Sequence, residues 1–393
     1  MNILIVHEVD WIKKITYEIH HLSEFFSKYG HNVYAIDLPD PGNISFNKSK
    51  FGNVKNYHRL YDDAKVQLYH TPMIPIKGLH RISAKLLSYR FTKNFLIENK
   101  IDVIFLYSVL TNSESTLRAA KEMNIPVVHR TLDVIHELLR EKFLRGLAYK
   151  IEKKIYPQFD LVLCHTPFMM NWAKQMGAKS VDVIVQGVDS DIMKPIPKNK
   201  SLQKSLGIND NDRVVMYLGT VYSFSGVDVI IECIPNIVKN FPNFKFLVVG
   251  GGPDLSMFKN KAKQCNVEKY VIFTDFIPYK EVLNYCSLAE IFVNPFQIIE
   301  ITDKLSPVKI FDLLSCAKPV ISTPLQGLLH DFPKEKNILT YSQLEDFEKN
   351  IISLLNNPNL EEIGKRGREF MIKNFTWEKV TEKILEEFDK LQK

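Results

Sequence analysis

The chain has 393 residues, more than one hydrophobic core accommodates, so two domains are the expectation. Hydrophobic residues make up 45% and charged residues 24%, the balance of an ordinary globular protein rather than a fibrous or disordered one. The net charge of +6 excludes a histone-like polycation but leaves room for a local basic patch facing phosphates or an anionic surface; no nucleic-acid partner is expected.

The opening residues MNILIVHE read as a core strand rather than a secretion signal. No apolar run approaches the roughly 18 residues of a spanning helix, so the expected setting is cytoplasmic with any membrane contact peripheral. Apolar runs then alternate with helix-like segments: NILIVHE, NVYAID, VIFLYSV, PVVHRT, LVLCHT and DVIVQG, and after about residue 210 VVMYLG, FKFLVVGG, YVIFTDF, EIFVNPF and PVIST. Near-continuous Val/Ile/Leu runs belong to strands buried on both faces. Their alternation with helices predicts an α/β fold with parallel, doubly wound sheets. The polar stretch 195–212, PIPKNKSLQKSLGINDND, is the expected linker. The predicted domains are Rossmann-like, spanning 1–194 and 195–375. A helix over 376–393 follows, with Thr376 as its N-cap and Trp377 as an anchor. Ligands of such sheets sit at the carboxyl ends of the strands, so two facing domains predict a site in the cleft between them. The five cysteines, Cys164, Cys233, Cys265, Cys286 and Cys316, lack metal-ligand spacing and are expected to be reduced and mostly buried.

Polar clusters follow several strands. HEVDWIKK (7–14) sets His7, Glu8, Asp10, Lys13 and Lys14 at the first turn after a strand, without the glycine of a dinucleotide phosphate loop. Residues 77–100 mix Lys77, Arg81, Lys85, Arg90 and Lys93 with Leu, Phe and Tyr, and contain one acidic residue, Glu98. This is either a basic amphipathic helix for an anionic membrane or a surface helix with snorkelling lysines. VVHRTLDVIHEL (127–138) crowds His129, Arg130, Asp133, His136 and Glu137 at a strand end, where members are expected to line the cleft.

In VVMYLGTVYSFSGVDVIIECI (214–234), Gly219 and Gly226 bracket a loop between strand and helix, either facing a ligand or forming an ordinary turn. In FKFLVVGGGPDLSMF (244–258), Gly251, Gly252 and Pro253 suggest either a phosphate or sugar contact or a tight packing turn. In KLSPVKIFDLLSCAKPVIS (304–322), Ser306 is the expected N-cap and Pro307 the first helical residue. The amides of Val308 and Lys309 are then open to a phosphate oxygen. Lys309 and Asp312 share a helical face, as a nucleotide clamp or as a surface ion pair.

These segments occur in the order found in glycosyltransferase family 4, which has the GT-B fold of two facing Rossmann-like domains. FDLVLCHTPFMMNWAKQMGAKSVDVIVQGVDSDIMKP (159–195) resembles that family's run ending in "nGVD", with Gln186 for the usual Asn. The later segments follow in register, and the resemblance covers nearly the whole chain. It implies retaining transfer of a hexose-type sugar from a UDP- or GDP-sugar to a glycan, glycolipid or lipid-linked acceptor, without a metal or other cofactor. The first domain would bind the acceptor and the second the donor, with the last helix crossing back to the first. An inner-membrane-face location follows if the acceptor is lipid-linked. By position, Asp312 matches the glutamate that holds the ribose. Ser306, Pro307 and Val308 match the loop that meets the diphosphate, and Phe276, Ile277 and Pro278 the segment that reads the base. Asp133, Asp10, His136 and Arg130 are the candidates for acceptor positioning and catalysis.

The chain departs from the pattern at several positions. Lys304 stands for the first motif glutamate, Thr220 and Ser225 for the diphosphate-gripping Arg and Lys, Leu132 for a histidine, and VDWIKK for a Gly-Gly loop. Lys304 and Lys309 are expected to restore the missing positive charge. The departures also admit a non-catalytic nucleotide- or glycan-binding partner of another transferase, or a GT-B sugar-nucleotide epimerase.

Overall fold

The computed structural model describes residues 1–14, 16–41, 54–139 and 141–392. They form two compact units: Met1–Gln186 with the C-terminal segment from Trp377, and Gly187–Thr376.

The first unit contains β1 (Asn2–Val6), α1 (Glu18–Lys28), β2 (Asn32–Asp37), β3 (Val54–Tyr57), β4 (Val66–His70), α2 (Leu79–Glu98), β5 (Val103–Leu106), α3 (Ser113–Met123), β6 (Val127–Thr131), α4 (Ile135–Leu138), α5 (Lys142–Ile155), β7 (Leu161–Cys164), α6 (Pro167–Gln175) and β8 (Val181–Val183). Its sheet runs β3-β4-β2-β1-β5-β6-β7-β8, parallel except for β3, which pairs antiparallel with β4. The order reverses at β1, which lies between β2 and β5.

Successive strand residues point to opposite faces, and each face has its own core. Leu4, Val6, Ile104 and Leu106 pack with Phe95 of α2, Leu117 of α3, Ile155 of α5 and Trp172 of α6. Ile3, Ile5, Val103 and Phe105 pack with Ile19, Leu22 and Phe26 of α1. That second core also takes Trp377, Val380, Ile384 and Phe388 of α16 (Trp377–Leu391). Trp377 stacks on His21 at 4.8 Å and 12°, and Phe388 meets Phe26 and Phe105 at 5.7 and 5.4 Å.

The second unit contains α7 (Lys200–Ser205), β9 (Arg213–Leu218), α8 (Val227–Asn240), β10 (Phe244–Val249), α9 (Leu255–Gln264), β11 (Val271–Phe273), α10 (Val282–Cys286), β12 (Ile291–Asn294), α11 (Glu300–Asp303), α12 (Val308–Ser315), β13 (Val320–Ser322), α13 (Gln326–Asp331), β14 (Thr340–Tyr341), α14 (Phe347–Leu355) and α15 (Leu360–Asn374). Its sheet is fully parallel, β11-β10-β9-β12-β13-β14, with the reversal between β9 and β12.

The eleven apolar runs read from the sequence all contain strands. The sequence reading omitted β3, β4 and β14, which are an exposed edge strand, an alternating strand and a two-residue strand. The stretch 195–212 is packed rather than a loose linker. Asn199 caps α7 by accepting from Leu202 N at 3.0 Å, and its own amide donates to Ser287 after α10. The division falls earlier because residues 188–193 are fastened to the second unit. Val188 N donates to Phe375 O at 2.8 Å, and the Arg368 guanidinium donates to the carbonyls of Met193, Ser190 and Ser315. All five cysteines are free thiols, and Cys164, Cys286 and Cys316 are buried. Among the described residues no helix is long and apolar enough to cross a membrane.

The chain's three tryptophans, Trp11, Trp172 and Trp377, all lie in the first unit, so intrinsic tryptophan emission reports its unfolding alone. Ile384→Ala leaves a cavity in the α1/α16 core and is expected to destabilise the tryptophan-detected urea transition by about 2–4 kcal/mol. Ile82→Ala, at an exposed position, is expected to leave that transition within about 0.5 kcal/mol.

Candidate active site

In the second unit the candidate donor residues gather beyond the carboxyl ends of β9, β10 and β12. The loop after β9 is closed by its own side chains. Tyr217 Oη donates to Thr220 O at 2.9 Å, and Ser225 Oγ donates to the same carbonyl at 3.3 Å while accepting from Tyr222 N at 2.8 Å. Ser225 is fully buried, so the expectation that it contacts a donor is corrected: it pins the turn. Thr220 is exposed.

Three of the glycines sit where another chain segment passes close by. A Cβ on Gly226 (φ +67°) would lie 1.8 Å from Pro295 O. One on Gly251 would lie 2.0 Å from Asp275 Oδ1, and one on Gly252 2.2 Å from Val221 O. The glycine run forms a tight packing turn, with Pro253 exposed beside it. Gly219 (φ +134°) differs, because its α-carbon faces the Lys309 stem, with Nζ 3.4 Å from a Cβ built there. Phe276 is 69% exposed, its amide donating to Asp275 Oδ1 at 2.7 Å; Ile277 is half-buried and Pro278 exposed.

The start of α12 corrects one local expectation. Pro307, not Ser306, is the N-cap, with ψ 122°. Ser306 Oγ instead donates to Asp331 Oδ2 at 2.5 Å. A proline before the helix fixes φ without needing a donor, and the helix begins one residue later. The outcome for the amides is as expected. Ile310 N returns to Pro307 O at 3.0 Å, while the amides of Val308 and Lys309 make no hydrogen bond among the described residues.

Lys309 and Asp312 do not pair. Lys309 Nζ is buried without a hydrogen-bond partner, 4.0 Å above the Tyr217 ring and 4.3 Å above that of Phe296. Burial holds this ammonium well below the usual lysine range. Asp312 faces Asp189 and Tyr279 instead, and burial, then the Asp189 charge, pushes its carboxyl up to about 7. Lys304 reaches Glu300 Oε1 at 3.1 Å, a partly exposed pair of the kind worth under about 1 kcal/mol.

In the first unit the expected acceptor residues are split. Arg130 is buried and forms a two-pronged pair with Glu18 at 2.8 and 2.7 Å, while donating to Ile184 O at 2.6 Å. It cannot line a site, and the expectation of a catalytic Arg130 is corrected: strand parity turns it towards α1. Glu18 also accepts from Tyr107 Oη and from His165 Nε2, each at 2.8 Å. Burial alone would raise the Glu18 carboxyl, but Arg130 and His165 reverse this and hold it well below its usual range.

Asp133 is exposed after β6, and its carboxyl is raised by desolvation against the opposing pull of His165. His136 Nδ1 lies 2.6 Å from the buried Glu152 carboxylate. Asp10 accepts from the amides of Ile12, Lys13 and Asp40, and with Glu8, Lys13, Lys14, His80 and Arg81 it lines a cavity of about 180 Å³. Glu8 is likewise turned to the backbone, accepting from Val109, Leu110 and Thr111 N. The sequence reading missed Glu18, His165 and Tyr107, and the aromatic pair Tyr217 and Phe296. The aromatics lie in strand-like runs that read as core, and Glu18 stands in no motif. Among the described residues no group of three His, Cys, Asp or Glu side chains is placed to hold a metal.

Residues 18–192 match the family described as Glycosyltransferase Family 4, and residues 198–370 the family described as Glycosyl transferases group 1. The chain belongs to the GT-B glycosyltransferases. An alpha-monoglucosyldiacylglycerol synthase of Acholeplasma laidlawii is 24% identical over 370 residues, covering 89% of this chain and 86% of that protein. A GDP-mannose-dependent alpha-(1-6)-phosphatidylinositol monomannoside mannosyltransferase of Mycolicibacterium smegmatis is 30% identical over 110 residues, 28% of each chain. The sucrose-phosphate synthase of Thermosynechococcus elongatus shares the fold, with a TM-score of 0.75 at 16% identity over 100% of this chain and 99% of that one. The transferase is thus an enzyme by family, which sets aside the non-catalytic reading.

Two outcomes follow for this transferase. Arg130→Leu removes the two-pronged partner of the buried Glu18 carboxylate and is expected to destabilise the first unit by about 3 kcal/mol in the tryptophan-detected transition. Asp312 holds its proton in the folded state up to about pH 7, far above the unfolded value of 3.8. Between those values the folded state binds the extra proton, so stability falls as pH rises. Asp312→Asn is expected to flatten that part of the pH profile of thermal unfolding and to raise stability at pH 8 relative to wild type.

Proposed function

We propose that the chain transfers a hexose-type sugar from a UDP- or GDP-sugar, with retention of configuration, to a glycolipid or other lipid-linked acceptor at the cytoplasmic face of a membrane. The observation that carries the donor half is the start of α12, where two unbonded amides and the positive end of a helix dipole face outward beside the sheet's switch point. Such a terminus suits the donor diphosphate, and charge developing on that leaving group is stabilised by fixed dipoles. Asp312 suits the ribose hydroxyls, which donate to a carboxylate. Phe276 and Pro278 suit the base. No metal is invoked. On the acceptor side, Asp133 and the residues around the Asp10 cavity are the positioning groups.

The lipid half is supported by the names of the two relatives, which specify a diacylglycerol glucoside and a phosphatidylinositol mannoside, and by one face of the first unit. Helices α2 and α5 flank α3, where Glu114 takes Lys85 and Lys154 at 2.6 Å each. Both helices hold large apolar side chains in solvent, Leu86 at 77% and Phe143 at 81% exposure. Arg81, Arg90, Lys142 and Arg145 stand among them, also exposed. Apolar side chains interleaved with cations suit an anionic bilayer surface.

The test incubates the protein with UDP-glucose, UDP-galactose and GDP-mannose on vesicles holding diacylglycerol and anionic phospholipid. A lipid-extractable α-glycoside is the expected product. A β-linked product would reject retention, and transfer to water-soluble sugars alone would reject the lipid acceptor. In flotation, Leu86→Glu combined with Phe143→Glu is expected to remain folded and lose anionic-vesicle binding. Undiminished flotation of that variant rules out this face as the contact.

A further inference from the structure

Lys309 raises a question that the donor reading leaves open. A nucleoside diphosphate carries two or three negative charges, and the family's gripping cations are replaced by the exposed Thr220 and the buried Ser225. Lys304 already leans on Glu300. Lys309, by contrast, has a buried Nζ that makes no hydrogen bond and no ion pair among the described residues. The position follows from helix geometry. Side chains at a helix start lean back past the N-terminus, so the stem of the second helical residue of α12 reaches across to β9. There it meets Gly219 at the mouth of the loop that holds Thr220 and Ser225.

We propose that Lys309 is the cation that grips the donor diphosphate, reaching it from a slot between Tyr217 and Phe296. This rests on the donor reading above. Ring faces at 4.0 and 4.3 Å flank Nζ, which makes no hydrogen bond there. The same residue's backbone amide is one of the two unbonded donors at the helix start, so a diphosphate docked there lies within reach of the side chain.

Nζ has no hydrogen-bond partner among the described residues, and burial favours its uncharged form over the pull of the ring faces. From β9 comes the Tyr217 phenol, whose proton is given to Thr220 O, and from the segment after β12 comes the apolar Phe296. On its own helix, Asp312 lies near Asp189 and Tyr279 and does not pair with Nζ. Burial is the one cause depressing Lys309, and an arriving diphosphate reverses it by placing negative charge beside the nitrogen. A proton gained by Nζ as the diphosphate binds comes from solvent and is returned when the nucleotide leaves.

The experiment is titration calorimetry of the full chain with UDP and with GDP, at one pH near 7.5, in two buffers of different ionisation enthalpy. Wild type is expected to take up protons as either nucleotide binds. Lys309→Met, which fills the same slot without a nitrogen, is expected to fold and to bind about tenfold or more weakly with the uptake lost. Lys309→Arg, always charged, is expected to bind within about threefold of wild type with the uptake also lost. Met-variant affinity and uptake equal to wild type overturn the Lys309 assignment while leaving the donor site standing. Failure of wild type to bind either nucleotide overturns the donor reading and the Lys309 assignment together. If the Met variant does not fold, uptake by the Arg variant equal to wild type overturns the assignment.

Discussion

A parallel sheet covered on both faces leaves charged side chains one place to collect, beyond the carboxyl ends of its strands. Both units obey this constraint. The middles of β1, β5, β9, β10 and β12 are apolar and buried, and His7 and Tyr107 follow directly on the ends of β1 and β5. What happens there depends on how each charge is compensated. In the first unit compensation is internal: Glu18 is met by Arg130, His165 and Tyr107, and Glu8 by a run of backbone amides. In the second unit it is incomplete. A buried lysine nitrogen meets only aromatic faces, the Asp312 carboxyl lies near that of Asp189, and among the described residues two amides have no acceptor.

That contrast separates groups that hold the fold from groups left for a ligand. A saturated network resists substitution but has nothing to offer a substrate. An unsaturated one costs stability in the empty protein, and a ligand that completes it recovers the difference as binding. The donor half of the proposed reaction is drawn from the unsaturated set, and the correction at Arg130 comes from the saturated set.

The fold was legible because its signal is simple. Continuous Val/Ile/Leu runs marked the central strands, and their alternation with helices marked the winding. β3, β4 and β14 escaped because edge and very short strands carry no such run. In the candidate site the helix start was legible and its side-chain contacts were not. The sequence marked a helix start within 304–312, but capping preference put Ser306 where Pro307 stands, since both residues are favoured near helix starts. Charge spacing suggested a Lys309–Asp312 pair, whereas one side chain leans off the helix end and the other faces Asp189. Arg130 looked like a cleft residue because it ends a strand. Its orientation depended on strand parity and on Glu18, more than a hundred positions away in the chain. Long-range pairs of this kind leave no local pattern.

The contact between Gly226 and Pro295 bears on how this protein can diversify. Here two main chains meet, and the loops after β9 and β12 are held at a separation that no rotamer change can adjust. The spacing at the switch point therefore behaves as an inherited dimension. Variation in what the second unit accepts must come from side chains hung on this frame, such as Phe276 and residue 309, and relatives that widened the frame would need a new backbone path rather than a new residue.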